Sequence, residues 1–193
     1  MRTVYPRWLA WDPTQAFPAP GNPSYRHHQD FEHFKKWIHT YGRGAYQPPR
    51  GNLDEEFDRF CEFALKLANC MIFVDEPAMI ENIPQSFWDL HRLGHKRNLG
   101  LMIATHRLSD LDALAQNVDH LFVFRTPIIY DVWTLKSVLG PQGAQFAAAA
   151  QPYEYWYKGL SGEGPCPPIP ASQIQRPAQP PAADPGAAAP IAR

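Results

Sequence analysis

The sequence has little cysteine, little excess charge and no long apolar run, and each shortage closes off a class of protein. Three cysteines in 193 residues (Cys61, Cys70 and Cys166) show no paired spacing, which argues against a disulfide scaffold or a zinc site and fits a reducing cytoplasm. Eighteen basic residues stand against 19 acidic ones, so no strongly basic nucleic-acid surface is advertised globally, although a local patch stays open. No window reaches the roughly 18 apolar residues of a transmembrane helix. The start, Met-Arg-Thr-Val-Tyr-Pro-Arg, has no apolar signal core. The expectation is a cytoplasmic protein with no direct membrane insertion.

Proline, by contrast, is abundant and unevenly placed. Nine of the 21 prolines lie between Pro165 and Pro190, interleaved with alanines. Such a segment buries too little apolar surface to offset its ordering entropy. A disordered Pro/Ala-rich tail is therefore expected over 161–193, after a single domain at 1–160. Pro13 to His28 reads as a long surface loop.

Between these segments, strands and helices alternate. Trp8 to Trp11 reads as a strand ending at Asp12-Pro13. Phe31, Phe34, Trp37 and Ile38 share one face of a helix over 30–39. Gly44 to Gln47 reads as a short strand stopped by Pro48-Pro49. Asn52-x-x-Glu55 resembles a capping box opening a helix with Leu53, Phe57, Phe60, Ala64 and Leu67 inward. The strand 71–74 follows, then a helix with Pro84 in its first turn and an apolar strand over Leu99–Ala104. A helix capped by Ser109, a strand at 121–124, a short helix over 131–139 ended by Gly140-Pro141, a further helical turn at Ala147–Ala150 and a last strand at 153–157 complete the pattern. Apolar strands alternating with amphipathic helices imply an α/β fold, a mainly parallel sheet covered on both faces.

In such a sheet chemistry collects outside the carboxyl ends of the strands. Three polar groups stand there: Asp75-Glu76, Thr105-His106-Arg107 and Arg125-Thr126. Asp75-Glu76 either caps a turn, as acids often do after strands, or supplies hard oxygen to a magnesium ion that keeps its waters. His106, 30 residues beyond Glu76, is either a solvated loop residue or a sensor touching a terminal phosphate. Arg92, His95, Lys96 and Arg97 end a helix, where cations favour the dipole; the alternative is a cation reaching a neighbouring subunit's nucleotide. His27-His28 and the i, i+4 pair His91/His95 lack a third metal ligand. Trp8, Trp11, Trp37, Trp88, Tyr153, Tyr155 and Trp156 are expected in the core.

Four pieces in order resemble HerA/FtsK-type P-loop ATPases, the group that includes phage DNA-packaging ATPases and zonula-occludens-toxin-like phage proteins. They are Leu9-Ala10-Trp11-Asp12-Pro13; Ile72-Phe73-Val74-Asp75-Glu76, which is similar to a Walker B strand; Arg92 to Gly100; and Ile103 to Leu111 followed by the 121–125 strand. The resemblance spans about residues 8 to 158. It implies a three-layer α/β/α (RecA/FtsK-like) core, ATP and Mg²⁺ as cofactors, and DNA as a partner. It also implies a homo-oligomeric ring, phage or membrane-assembly proteins as further partners, and ATP hydrolysis driving DNA translocation or packaging. By carry-over, Asp75 holds Mg²⁺, Glu76 activates water and His106 senses the γ-phosphate. The family's finger arginine aligns with His95, leaving Arg92 or Arg97 to substitute.

The sequence departs from the family in one large respect. It contains no G-x-x-x-x-G-K-[ST] phosphate loop; the family's first strand, that loop and its helix would precede residue 1. The alternatives are an active ATPase domain needing a Walker A segment absent from these residues, or a catalytically inactive ATPase-like structural or morphogenesis subunit. The spacing from Asp75-Glu76 to His106 is also similar to ABC-type ATPases, but the Leu-Ser-Gly-Gly-Gln signature expected before the acidic pair is missing.

Overall fold

A computed structural model describes residues 5–14, 26–106, 118–126 and 129–168, with backbone only at 129–132. These residues fall into two compact units, one ending at Ala104 and one starting at Thr105.

The first unit is built on a five-stranded sheet. Its strands are β1 (Arg7–Trp11), β2 (His27–His28), β3 (Arg43–Tyr46), β4 (Cys70–Asp75) and β5 (Leu99–Ala104). Their order is β2-β3-β1-β4-β5 and every pairing is parallel. Parallel neighbours need crossovers, supplied by α1 (Phe31–Tyr41), α2 (Leu53–Leu65) and α3 (Gln85–Leu93). All three crossovers step in the same direction along the sheet, so right-handed connections put all three helices on one face.

That face is an aromatic core. Trp11 lies 4.9 Å from Phe57 and 5.7 Å from Phe60, centroid to centroid; Phe34 stacks on Phe60, and Phe57 meets Phe87. Leu9, Ile72 and Val74 alternate inward beside them. The other face of the sheet carries Trp8, Ala10, Ala45 and Phe73. Helices α1–α3 do not supply the second covering layer expected from the sequence.

Local signals explain the boundaries. Asp30 Oδ1 accepts from the His33 amide at 2.7 Å and starts α1. Gly42, at φ +74°, ends it in the left-handed conformation; a Cβ there would also meet Arg7 Cγ at 3.1 Å. The capping box at Asn52 does not form. Its side chain donates to the Glu55 carboxylate instead of receiving a backbone N–H, and α2 starts without a side-chain cap.

The second unit contains β6 (His120–Phe124), α4 (Ile129–Ala149), β7 (Tyr155–Gly159) and β8 (Gly162–Cys166). Its strands form an antiparallel sheet in the order β6-β7-β8. Leu135, Val138, Leu139, Ala144 and Ala147 of α4 bury Trp156. Three expectations change here and one holds. The 121–124 strand belongs to this antiparallel sheet, not to the parallel one. The break expected at Gly140-Pro141 is present: Gly140 (φ +71°, ψ 177°) is non-helical, and Pro141 is well suited to open the second segment of α4. Residues 162–166, expected within a disordered tail from 161, form an edge strand, where Pro165 costs no ladder bond. Tyr153, expected in the core, is 79% exposed. The helix expected after Ser109 and the tail beyond 168 lie outside the described residues. Among the described residues no helix is long and apolar enough to cross a membrane.

Candidate functional site

The acidic pair sits where the parallel sheet delivers it. Strand β4 alternates, with Cys70, Ile72 and Val74 buried beneath the helices, so Asp75 points to the opposite face at the carboxyl end. Asp75 is level with Ala104, the last residue of β5. Glu76 then leaves the strand: its amide donates to the Ala104 carbonyl at 2.8 Å, and its carbonyl accepts from the Met79 amide at 3.0 Å. Between these bonds Glu76 adopts φ 44°, ψ 58°, the left-handed conformation, directly before Pro77. Few non-glycine residues accept this backbone, and a following proline narrows the choice further. Such outliers persist only when their surroundings hold them, and they gather at functional sites.

One neighbour braces Asp75 and another holds the chain that follows the pair. The Thr14 hydroxyl donates to Asp75 Oδ2 at 2.7 Å. Asp54, in the first turn of α2, accepts from the Glu81 and Asn82 amides at 3.0 and 3.1 Å and from Asn82 Nδ2 at 3.2 Å. The chain after Glu76 is thus tied at both ends of its turn.

A second polar station lies at the carboxyl ends of β1, β2 and β3. Asp12 is fully buried, its amide bonded to the Tyr46 carbonyl at 2.9 Å, and its Oδ2 accepts weakly from Gln47 Nε2 at 3.4 Å. The same Gln47 amide touches His27 Nδ1. His28, packed against Phe34 and Trp37, has its pKa lowered, first by burial and then by the nearby Arg26, His33 and His27.

The remaining sequence candidates are distributed differently. His106 is exposed and lies two residues past the end of β5 along the chain, at the start of the second unit; Arg107 lies outside the described residues. Arg125-Thr126 ends a strand of the antiparallel sheet. Arg92 is exposed in the last turn of α3, and Arg97 is exposed with its guanidinium 3.4 Å from the Lys66 carbonyl. Both sit at the amino ends of β4 and β5, where Cys70 pairs with Leu99. Five residues of strand, at about 3.3 Å each, separate that end from Asp75 by roughly 16 Å. Neither arginine reaches the acidic pair of its own chain. Thr14 carried no sequence signal beyond its position after a predicted strand, and Gln47 none beyond its place as the last residue of one.

Chemically, the arrangement offers one oriented carboxylate, an adjacent hydroxyl and a second acid. Among the described residues no three His, Cys, Asp or Glu side chains gather as a metal cage. A single carboxylate suits Mg²⁺, which keeps several waters and takes further oxygens from substrate phosphates. The residues present therefore fit that ion. They do not by themselves fit nucleoside-triphosphate phosphates, since the sequence has no phosphate-loop lysine or glycine-rich nest.

No protein-family model matches the sequence, and no curated protein matches it. Solved structures do. The genome packaging NTPase B204 from Sulfolobus turreted icosahedral virus 2, in complex with sulfate, is similar with a TM-score of 0.68 at 12% identity, over 86% of this chain and 82% of that one. Its complex with AMPPCP gives 0.64 at 12% identity, over 86% and 84%. B204, the DNA-packaging ATPase from Sulfolobus Turreted Icosahedral Virus, gives 0.58 at 9% identity, over 87% of this chain and 100% of that chain. At these identities the likeness is one of fold: this chain has a mixed α/β architecture with a mostly parallel central sheet, similar to that of the B204 structures.

Proposed function

We propose that this chain is the ATPase-like module of a genome-packaging motor, carrying the Asp75-Glu76 half of a nucleotide site. The observation that carries the proposal is the acidic pair at the carboxyl end of β4, held in strained backbone beside the end of β5, within a fold similar to that of viral genome packaging NTPases. Asp75 would hold Mg²⁺, which supplies positive charge beside the phosphates when bound. Glu76 would accept a hydrogen bond from the attacking water and orient it. His106 would sense the terminal phosphate. The 193 residues carry no G-x-x-x-x-G-K-[ST] motif, so phosphate donors would come from elsewhere in the assembly. Arg92 and Arg97, remote from the acidic pair of their own chain, would serve the site of a neighbouring subunit in a homo-oligomeric ring. DNA, the phage or membrane-assembly partners and a cytoplasmic setting follow from the same reading, as does an ordered domain before a Pro/Ala-rich tail.

The missing loop favours a second reading: a subunit that keeps the fold for protein contacts and has no hydrolytic role. The two part on one experiment. In the native assembly, Asp75→Asn should abolish Mg²⁺-dependent binding of an ATP analogue, measured by equilibrium dialysis. Unchanged binding would leave only the structural reading.

A further inference from the structure

The hydroxyl on Asp75 comes from a loop that no motif marks. Strand β1 runs beside β4 with Trp11 level with Val74, so Asp12 is level with Asp75. The Asp12 amide is tied to the Tyr46 carbonyl, and the ring of Pro13 fixes the next φ. The chain therefore turns past the end of β4 along a defined path, and Thr14 Oγ1 arrives 2.7 Å from Asp75 Oδ2, across 61 residues of sequence. A β-branched side chain has few χ1 choices, so the direction of this hydroxyl is largely set by the backbone. Among the described residues Asp75 Oδ1 has no hydrogen-bond partner. The two carboxylate oxygens are thus made different: one is a hydrogen-bond acceptor for Thr14, and the other stays available.

We propose that Thr14 is the positioning residue that orients Asp75 for a divalent cation. This rests on the reading of Asp75 as a cation ligand given above. Mg²⁺ demands near-ideal octahedral geometry, so a lone carboxylate must present one oxygen in one direction. Hydrogen bonds to ligating carboxylates do this in metal sites generally, and losing one weakens affinity about 10- to 100-fold. In this chain a threonine after β1 supplies that bond.

The test uses the full chain as wild type, Thr14→Val, Thr14→Ser and Asp75→Asn. Mn²⁺ alone is the probe, titrated by electron paramagnetic resonance, and the Asp75 side-chain rotamer is read by NMR three-bond couplings without metal. Thr14→Val should weaken Mn²⁺ binding about 10-fold and average the Asp75 χ1. Thr14→Ser should restore both, which a merely structural loss would not do. Equal couplings in wild type and Thr14→Val overturn the positioning role whatever the metal does. If wild type binds Mn²⁺ no better than Asp75→Asn, the cation reading of Asp75 fails instead. In that case the positioning role for a cation falls with it, and the couplings still report whether Thr14 fixes the side chain.

Discussion

Replacing Glu76 by glycine should stabilise the protein relative to replacing it by alanine, although both remove the same carboxylate. At φ 44°, ψ 58° a Cβ stands too close to its own carbonyl, and the left-handed conformation costs a non-glycine residue about 1–2 kcal/mol. Glycine escapes that cost but gives back about 0.5–1 kcal/mol in unfolded-chain entropy. At the middle of these ranges the difference leaves Glu76→Gly about 0.75 kcal/mol more stable than Glu76→Ala. Comparing the two variants cancels whatever the Glu76 carboxylate contacts, so only the backbone term remains. In a chain of this size the gap amounts to about 1–4 °C in Tm. Urea unfolding followed by hydrogen exchange in β4 and β5 would read it locally, with an unchanged m-value as the control. Equal midpoints, or a more stable alanine variant, would refute the idea that strain is stored at this residue.

Other outcomes follow from burial. Cys61 and Cys70 are fully buried, and burial raises both thiol pKa values, Cys70 to about 12 against a small opposing effect of Arg7. Only Cys166 should react quickly with Ellman's reagent in the native protein, and all three in denaturant; three fast thiols would contradict the core. His28 has a lowered folded pKa, so the unfolded chain takes up its proton first as the pH drops. Its contribution to stability is full above pH 6.5 and is lost as the pH falls from there through the folded value. Urea midpoints of His28→Phe should therefore decline less than those of wild type between about pH 7.5 and 5, and parallel declines would show that His28 is not buried as described.

What the sequence revealed of the fold, and what it hid, divides along physical lines. Strands β4 and β5 were legible almost to the residue, because continuous apolar runs bounded by Asn69 and Asp75, or by Asn98 and Thr105, have no other use in a small α/β domain. Helix α1 was legible from its apolar spacing, though its N-terminal cap lay in one side chain, Asp30. Strand β8 was hidden because Gly-Glu-Gly-Pro-Cys has the composition of a loop; only its pairing with β7 makes it a strand. The antiparallel setting of β6 was hidden for the same reason, since pairing is non-local. At the site, Asp75 and Glu76 were visible as a pair, while the left-handed backbone of Glu76 and the Thr14 bond depend on β1, β4 and β5 meeting in register. The arginines were visible as a cluster, but their position at the far ends of the strands was not.

The most direct test of the central claim is phosphate release from ATP by the protein in its native assembly, comparing wild type with Glu76→Gln. If Glu76 orients the attacking water, release should fall about 10²- to 10⁴-fold while Mg²⁺-dependent nucleotide binding is retained. Equal rates in the two proteins would contradict the assignment of this acidic pair to hydrolysis.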